Sequence, residues 1–303
     1  MTVTAERVVL ATDGSAPAAT AAAHALFLAG VLDAPLHVVS ATGVPPAPAT
    51  EATGTETAAP SASAAVEAEE AVGAVTRRAL LAGVRLTSAV VGGPAATAVD
   101  RAVGDGDLLV LGRHGRSGPG RFLVGSVAER VLDAPTAPTL VVPAASPQPT
   151  YRRIALFAAD DVPSAEPAAT LARRIAAATR GTLEPLAVVD ERAVETASPD
   201  TRRTLETEAR GRVNAVAAAA ARDAVESGGT VRTGVPAAEL LAHVERTGAD
   251  AVVIGVNGGD EAQGGGDPTA RTVAGRIVRH VGVPALVVPS AGDGDTIDSP
   301  GRR

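Results

Sequence analysis

At 303 residues the chain has room for two domains of ordinary size, each able to bury its own core. Hydrophobic residues make up 46% but aromatics only 1%, so the cores must be built from Ala, Val, Leu and Ile, and the aromatic platforms of single-strand nucleic-acid binders are excluded. The formal net charge is −7 and all 27 basic side chains are Arg, which excludes a basic nucleic-acid footprint, Lys Schiff-base chemistry and a Walker-A loop.

With no Cys there is no disulfide, thiolate nucleophile or Cys-ligated zinc, and a reducing, cytoplasmic setting is expected. The start, Met1-Thr-Val-Thr-Ala-Glu-Arg7, lacks the basic-then-apolar order of a signal peptide. The long uncharged stretch from Gly14 to Leu32 is mostly Ala with Pro17 and His24 inside it, which reads as a buried helix and not as a membrane span.

In chain order, apolar runs alternate with helical patterns, the mark of an open parallel sheet with helices on its faces. Strands are expected at Arg7–Thr12, Pro35–Ser40, Arg85–Val90, Leu108–Gly112 and Thr139–Val142. Between them fall a helix capped by Ser15 with Pro17 in its first turn, then helices over Ala64–Ala82, Ala95–Val103 and Ser126–Leu132. The segment Thr42–Ser63, rich in Pro, Ala, Thr and Gly, is expected to be a mobile surface loop.

The plan then repeats. Asp107-Leu-Leu-Val-Leu-Gly112 returns as Asp250-Ala-Val-Val-Ile-Gly255, Pro94-Ala95-Ala96 returns as Pro236-Ala237-Ala238, and Pro138–Pro143 returns as Pro284–Pro289. Three landmarks in the same order define an internal repeat. Expected domains are therefore 1–146 and 150–290, with a polar helical region at Pro199–Val225, a Gly-rich insert at Gly258–Asp267 and a disordered tail at 291–303.

The sharpest chemical feature is the run from Gly112-Arg113-His114-Gly115 to Gly125-Ser126-Val127, leading from the fourth strand into a helix. Glycines let backbone approach an anion closely, and a helix start presents free N–H groups and the positive end of its dipole. Past the carboxyl end of a parallel strand is also where open α/β sheets bind ligands. Taken alone, such a loop is more often a plain strand–helix connection.

Three features decide the matter: the spacing Gly-x2-Gly-x9-Gly-Ser, the opening Val8-Val9-Leu10-Ala11-Thr12-Asp13-Gly14-Ser15, and the closing Thr139-Leu-Val-Val-Pro143. Together they resemble a universal stress protein domain of the ATP-binding type, over nearly all of residues 5–144 and more weakly over 150–290. The resemblance implies two tandem open parallel five-stranded sheets of the Rossmann-like, adenine nucleotide alpha-hydrolase-like type. It also implies that ATP, with or without Mg²⁺, is held by Asp13, Val39, Gly112, Gly115, Gly125, Ser126 and Val127. Arg113 and His114, inside the loop, are candidates to add charge to phosphate. The last strands of the two halves are expected to pair as an intrachain pseudo-dimer, with a homodimer and an unidentified protein partner left open.

The second half departs from the motif. Aligning Pro284–Pro289 with Pro138–Pro143 sets Arg271-Thr272 where the first half has Gly125-Ser126, while strict spacing lands on Pro268-Thr269, and Pro has no N–H to offer an anion. Its opening, Ile154 to Asp160-Asp161, lacks Asp-Gly-Ser. Elsewhere Gly115-Arg-Ser117-Gly118-Pro119 lacks the final glycine of a nucleophile elbow, and His24, His37, His243 and His280 lack metal-ligand spacing. The cluster Glu67-Glu69-Glu70 with Arg77-Arg78 reads as a solvated helix face. Three functions remain: an ATP-binding stress-response protein, a slow ATPase on the same loop, and a scaffold that holds no nucleotide. No general base or arginine finger is evident for the second.

Overall fold

The computed structural model describes residues 5–43, 62–115, 124–133, 135–159, 162–256 and 268–290. The first half runs β1 (Arg7–Ala11), α1 (Ala16–Val31), β2 (Leu36–Ala41), α2 (Ala62–Leu81), β3 (Leu86–Val91), α3 (Ala95–Ala102), β4 (Asp107–Gly112), α4 (Ser126–Asp133) and β5 (Thr139–Val142). The second runs β6 (Arg153–Phe157), α5 (Val162–Thr179), β7 (Thr182–Asp190), α6 (Glu191–Glu195), α7 (Pro199–Arg222), β8 (Glu226–Ser227), β9 (Thr230–Gly234), α8 (Pro236–Thr247), β10 (Ala251–Val256), α9 (Pro268–His280) and β11 (Ala285–Pro289). Most of Thr42–Ser63, the insert at Gly258–Asp267 and the tail at 291–303 lie outside the described residues, although Ala62 and Ser63 open α2.

The two expected sheets join into one. Its order is β3-β2-β1-β4-β5-β11-β10-β6-β7-β8, with β9 also on β7. All pairings are parallel except that between β5 and β11, which is antiparallel with Leu286 opposite Leu140. Every residue of β5 and β11 is buried, and a continuous apolar run is what a strand covered on both faces requires. Each strand would otherwise be an unpaired edge, so the pairing expected of the two last strands satisfies both.

Helices cover both faces, and the two larger cores each pass through both halves. Leu10, Leu28 and Leu140 belong to one core with Ile154, Leu171 and Leu286, while Val9, Leu109 and Val141 share the other with Ile254, Ile277 and Val287. Helix α1 is started by Ser15, whose Oγ accepts from the Ala18 N–H at 3.3 Å, with Pro17 in the first turn where its missing N–H costs nothing.

The repeated aspartate has a structural role in both copies. Asp107, 4% exposed, accepts from Arg7 Nη2 at 2.6 Å and from the Gly104 N–H at 2.7 Å, fixing the entry of β4 beside β1. Asp250 accepts from the backbone N–H groups of Arg152 and Arg153 at 2.7 and 3.1 Å, fixing β10 beside β6. Two buried histidines, His24 and His243, are likewise satisfied within the fold. His24 contacts the Tyr151 hydroxyl and the Pro147 carbonyl, and His243 contacts the Glu184 carbonyl at 3.0 Å.

Candidate functional site

In the first half the chain leaves β1 toward β2 and β3 on one side and returns to β4 and β5 on the other. The carboxyl ends of β1 and β4 therefore diverge, which is the switch point where such sheets hold ligands. A cleft of about 600 Å³ opens there. It is bounded by the ends of β1, β2 and β4 and by residues of α1, α2, α3 and α4.

Eight of the nine candidate residues line this cleft: Asp13, Val39, Gly112, His114, Gly115, Gly125, Ser126 and Val127. Asp13 follows β1 in a tight turn with Gly14 at φ +75°, and its Oδ1 accepts the Ser15 N–H at 3.0 Å. Its Oδ2 lies against Gly115, where an added Cβ would come within 2.7 Å of it. Gly112 is held between the His114 carbonyl and Pro17, at 3.1 and 3.3 Å from where a Cβ would stand. Gly125 donates its N–H to the Arg113 carbonyl at 2.8 Å and accepts from Glu129, which closes the loop and starts α4. The first-turn amides of Ser126 and Val127 have no carbonyl within the helix to bond, and both residues line the cleft, at the positive end of the helix dipole. Val39 is 2% exposed, and one lone pair of its carbonyl is taken by the Thr12 N–H at 3.0 Å; its side chain supplies an apolar wall.

Arg113 departs from expectation. Its guanidinium is not in the cleft; Nη1 donates to the carbonyls of Val278, Arg279 and Val281 at 3.1, 3.3 and 2.9 Å, at the end of α9 in the second half. The C-terminal end of a helix carries partial negative charge and unpaired carbonyls, so it competes successfully for the cation. His114 is buried to 9% exposure, and neither ring nitrogen has a hydrogen-bond partner among the described residues. Burial first, and the neighbouring Arg113 charge second, hold its pKa below the ordinary histidine value.

Two lining residues were not expected. Ser40, 2% exposed on β2, has a hydroxyl without a partner among the described residues. Glu67 turns into the cleft instead of joining the solvated face with Glu69 and Glu70, because it stands one turn into α2 where that helix meets the ends of β1 and β2. The signal for Ser40 was a hydroxyl inside the apolar run Leu36–Ala41.

The second half has no equivalent cradle among its described residues. Its helix α9 begins at Pro268, a turn ahead of Arg271-Thr272, so a residue without an N–H stands at the first helical position. Residue Val256, which follows Gly255 as Arg113 follows Gly112, is 2% exposed in an apolar core.

A parallel sheet wound in both directions, with a glycine-walled cleft and a helix N-terminus at its switch point, is an α/β architecture of the Rossmann-like class. The model of the Universal stress protein family matches residues 4–143 and again 150–289, and the chain belongs to that family as a tandem member. A universal stress protein of Methanocaldococcus jannaschii is 35% identical over 139 residues, covering 45% of this chain and 81% of its own. The crystal structure of a universal stress protein from Archaeoglobus fulgidus superposes with a TM-score of 0.70 at 18% identity, covering 95% of this chain and 99% of its own, which shows the fold. A universal stress protein family protein from Arabidopsis thaliana, solved with AMP bound, matches at 19% identity and a TM-score of 0.33 over 50% of this chain and 98% of its own.

Proposed function

We propose that the chain is a stress-response binding protein of two domains, 1–146 and 150–290, which holds ATP in the cleft of the first and acts through a protein partner in the cytoplasm. The observation that carries this reading is a pair of buried side chains, His114 and Ser40, with polar atoms lacking partners among the described residues, in a cleft that also holds a helix N-terminus. A buried polar group without a partner costs about 1–3 kcal/mol, a cost that a ligand supplying the missing hydrogen bonds removes. The donors suit a nucleotide: the α4 amides and the loop backbone for phosphates, Val39 and Val99 for an apolar base, and Asp13 at the mouth of β1 for a sugar hydroxyl or a Mg²⁺ carried by the phosphates. Bound ATP would supply negative charge and an aromatic base, while the chain's own residues bind and orient it.

The test is Gly125→Leu. A Cβ there already stands 3.3 Å from the Arg113 carbonyl, so a larger side chain enters the cradle. Abolished ATP retention in a folded variant supports the site; retention equal to wild type defeats it. ADP accumulating with time in the wild-type protein would favour the slow ATPase instead.

A further inference from the structure

We infer that Arg113 is a positioning residue through which the second half braces the phosphate cradle of the first, so that a half with no equivalent cradle among its described residues completes the site of the other. This rests on the reading of the cleft as a nucleotide site.

Arg113 is the point where four elements meet. Its N–H donates to the Val142 carbonyl of β5 at 2.8 Å, and its carbonyl accepts the Gly125 N–H at 2.8 Å, closing the loop on the start of α4. Its side chain leaves the cradle altogether, and one nitrogen sits among three carbonyls at the end of α9. The residue is only 8% exposed, so this cation has left water and depends on those carbonyls for its solvation. A buried guanidinium so held cannot shift without the backbone that carries it, and that backbone is the stretch between Gly112 and Gly115. A second tie runs in parallel: Arg279, in the last turn of α9, reaches Glu129 in the first turn of α4 at 3.4 Å.

The arrangement runs one way. Val256 stands at the repeat position in the second half and is packed in an apolar core, so no cation stands at the position that corresponds to Arg113. Loss of the glycine spacing in the second half therefore leaves the brace intact, because these contacts come from the end of α9 and not from the second loop. Donors fixed in advance bind an anion more tightly than donors that must be ordered on binding. Coupling between sites is reciprocal, so whatever α9 does for the cradle, a ligand in the cradle does for the end of α9.

The experiment uses the full chain, with ATP as the probe. Affinity is measured calorimetrically for wild type, Arg113→Ala and Arg113→Lys, and amide hydrogen exchange is followed in the last turn of α9, Val278–Val281, with and without ATP. Arg113→Ala should weaken ATP binding by roughly tenfold, within the usual range of coupling between sites. Arg113→Lys should recover most of that loss, since an ammonium keeps the positive charge and offers three N–H donors to the same carbonyls. ATP should slow exchange at the end of α9 in wild type and not in Arg113→Ala. Equal affinity in all three proteins, or exchange at α9 indifferent to ATP in the wild type, overturns the inference, and the second readout stands even if Arg113→Ala does not fold. A loss of affinity in Arg113→Ala without recovery in Arg113→Lys and without any response at α9 would place the guanidinium's role elsewhere and overturns it too. No ATP bound by wild type overturns the nucleotide reading itself, a result distinct from the others.

Discussion

The hydroxyl of Tyr151 lies 2.8 Å from Nδ1 of His24, tying α1 of the first half to the residues that lead into β6 of the second. The other ring nitrogen of His24 is 3.1 Å from the Pro147 carbonyl, Phe27 stacks on the Tyr151 ring at 5.8 Å, and Tyr151 takes a left-handed φ of 49°. The junction between the halves is thus a small polar pair sealed in an aromatic and aliphatic pocket.

Burial lowers the pKa of His24 from 6.5 to about 4. The sign follows from linkage. Below the unfolded value the unfolded chain binds the proton that the folded chain refuses, so stability is full above about pH 6.5 and falls until about pH 4, by about 3 kcal/mol in total. Urea unfolding at a series of pH values, read through fluorescence of the chain's single tyrosine, should show this loss; His24→Gln should flatten it within that window. An unchanged slope in His24→Gln would assign the acid sensitivity to other groups.

The glycines of the cradle should separate in their effects. Alanine at Gly112 meets backbone on two sides, at 3.1 and 3.3 Å, and overpacking of that kind costs about 1–3 kcal/mol. Alanine at Gly115 meets only the Asp13 carboxylate, a side chain that can turn aside, so the melting temperature should barely move. Both variants should bind ATP more weakly, the second by displacing Asp13. A Gly115→Ala protein with wild-type affinity would remove Asp13 from the site.

Ser40→Ala should make the unliganded protein more stable, by up to about 1 kcal/mol, since it deletes a buried hydroxyl that has no partner among the described residues. The same change should weaken ATP binding. Greater stability with unchanged affinity would mean that the hydroxyl does not meet the ligand.

Aspartate at the head of the central strand should matter in both halves, and more in the first. Asp107→Ala strands Arg7 and the Gly104 N–H, at an expected cost of about 2–4 kcal/mol. Asp250→Ala should cost less, because its ring of donors is more exposed to water. Thermal unfolding of the two variants measures the difference.

Most of the architecture could be read from the chain because its signals are local. The apolar runs at Val8–Leu10 and Leu108–Leu111, the cap at Ser15 and the repeated Asp-apolar-Gly pattern each act within a few residues, and the observed strands begin and end within one or two residues of expectation. The pairing of β5 with β11 was implied by the family resemblance, and it satisfies two strands that would otherwise be open edges. What stayed hidden was long-range. Nothing near Arg113 indicates that its partners are carbonyls some 165 residues away, and its place inside the loop made it only a candidate to add charge to phosphate. Glu67 and Ser40 escaped for a related reason: whether a helix or strand position faces water or a cleft depends on where neighbouring elements stop.

The central claim is one nucleotide site in a chain of two similar halves. Protein purified without added nucleotide, then saturated with ATP, freed of excess and denatured, should release about one ATP per chain when the supernatant is quantified by mass spectrometry. No ATP would contradict the site at the β1–β4 switch point, and two per chain would contradict the reading of Pro268 and the second half as unable to hold one.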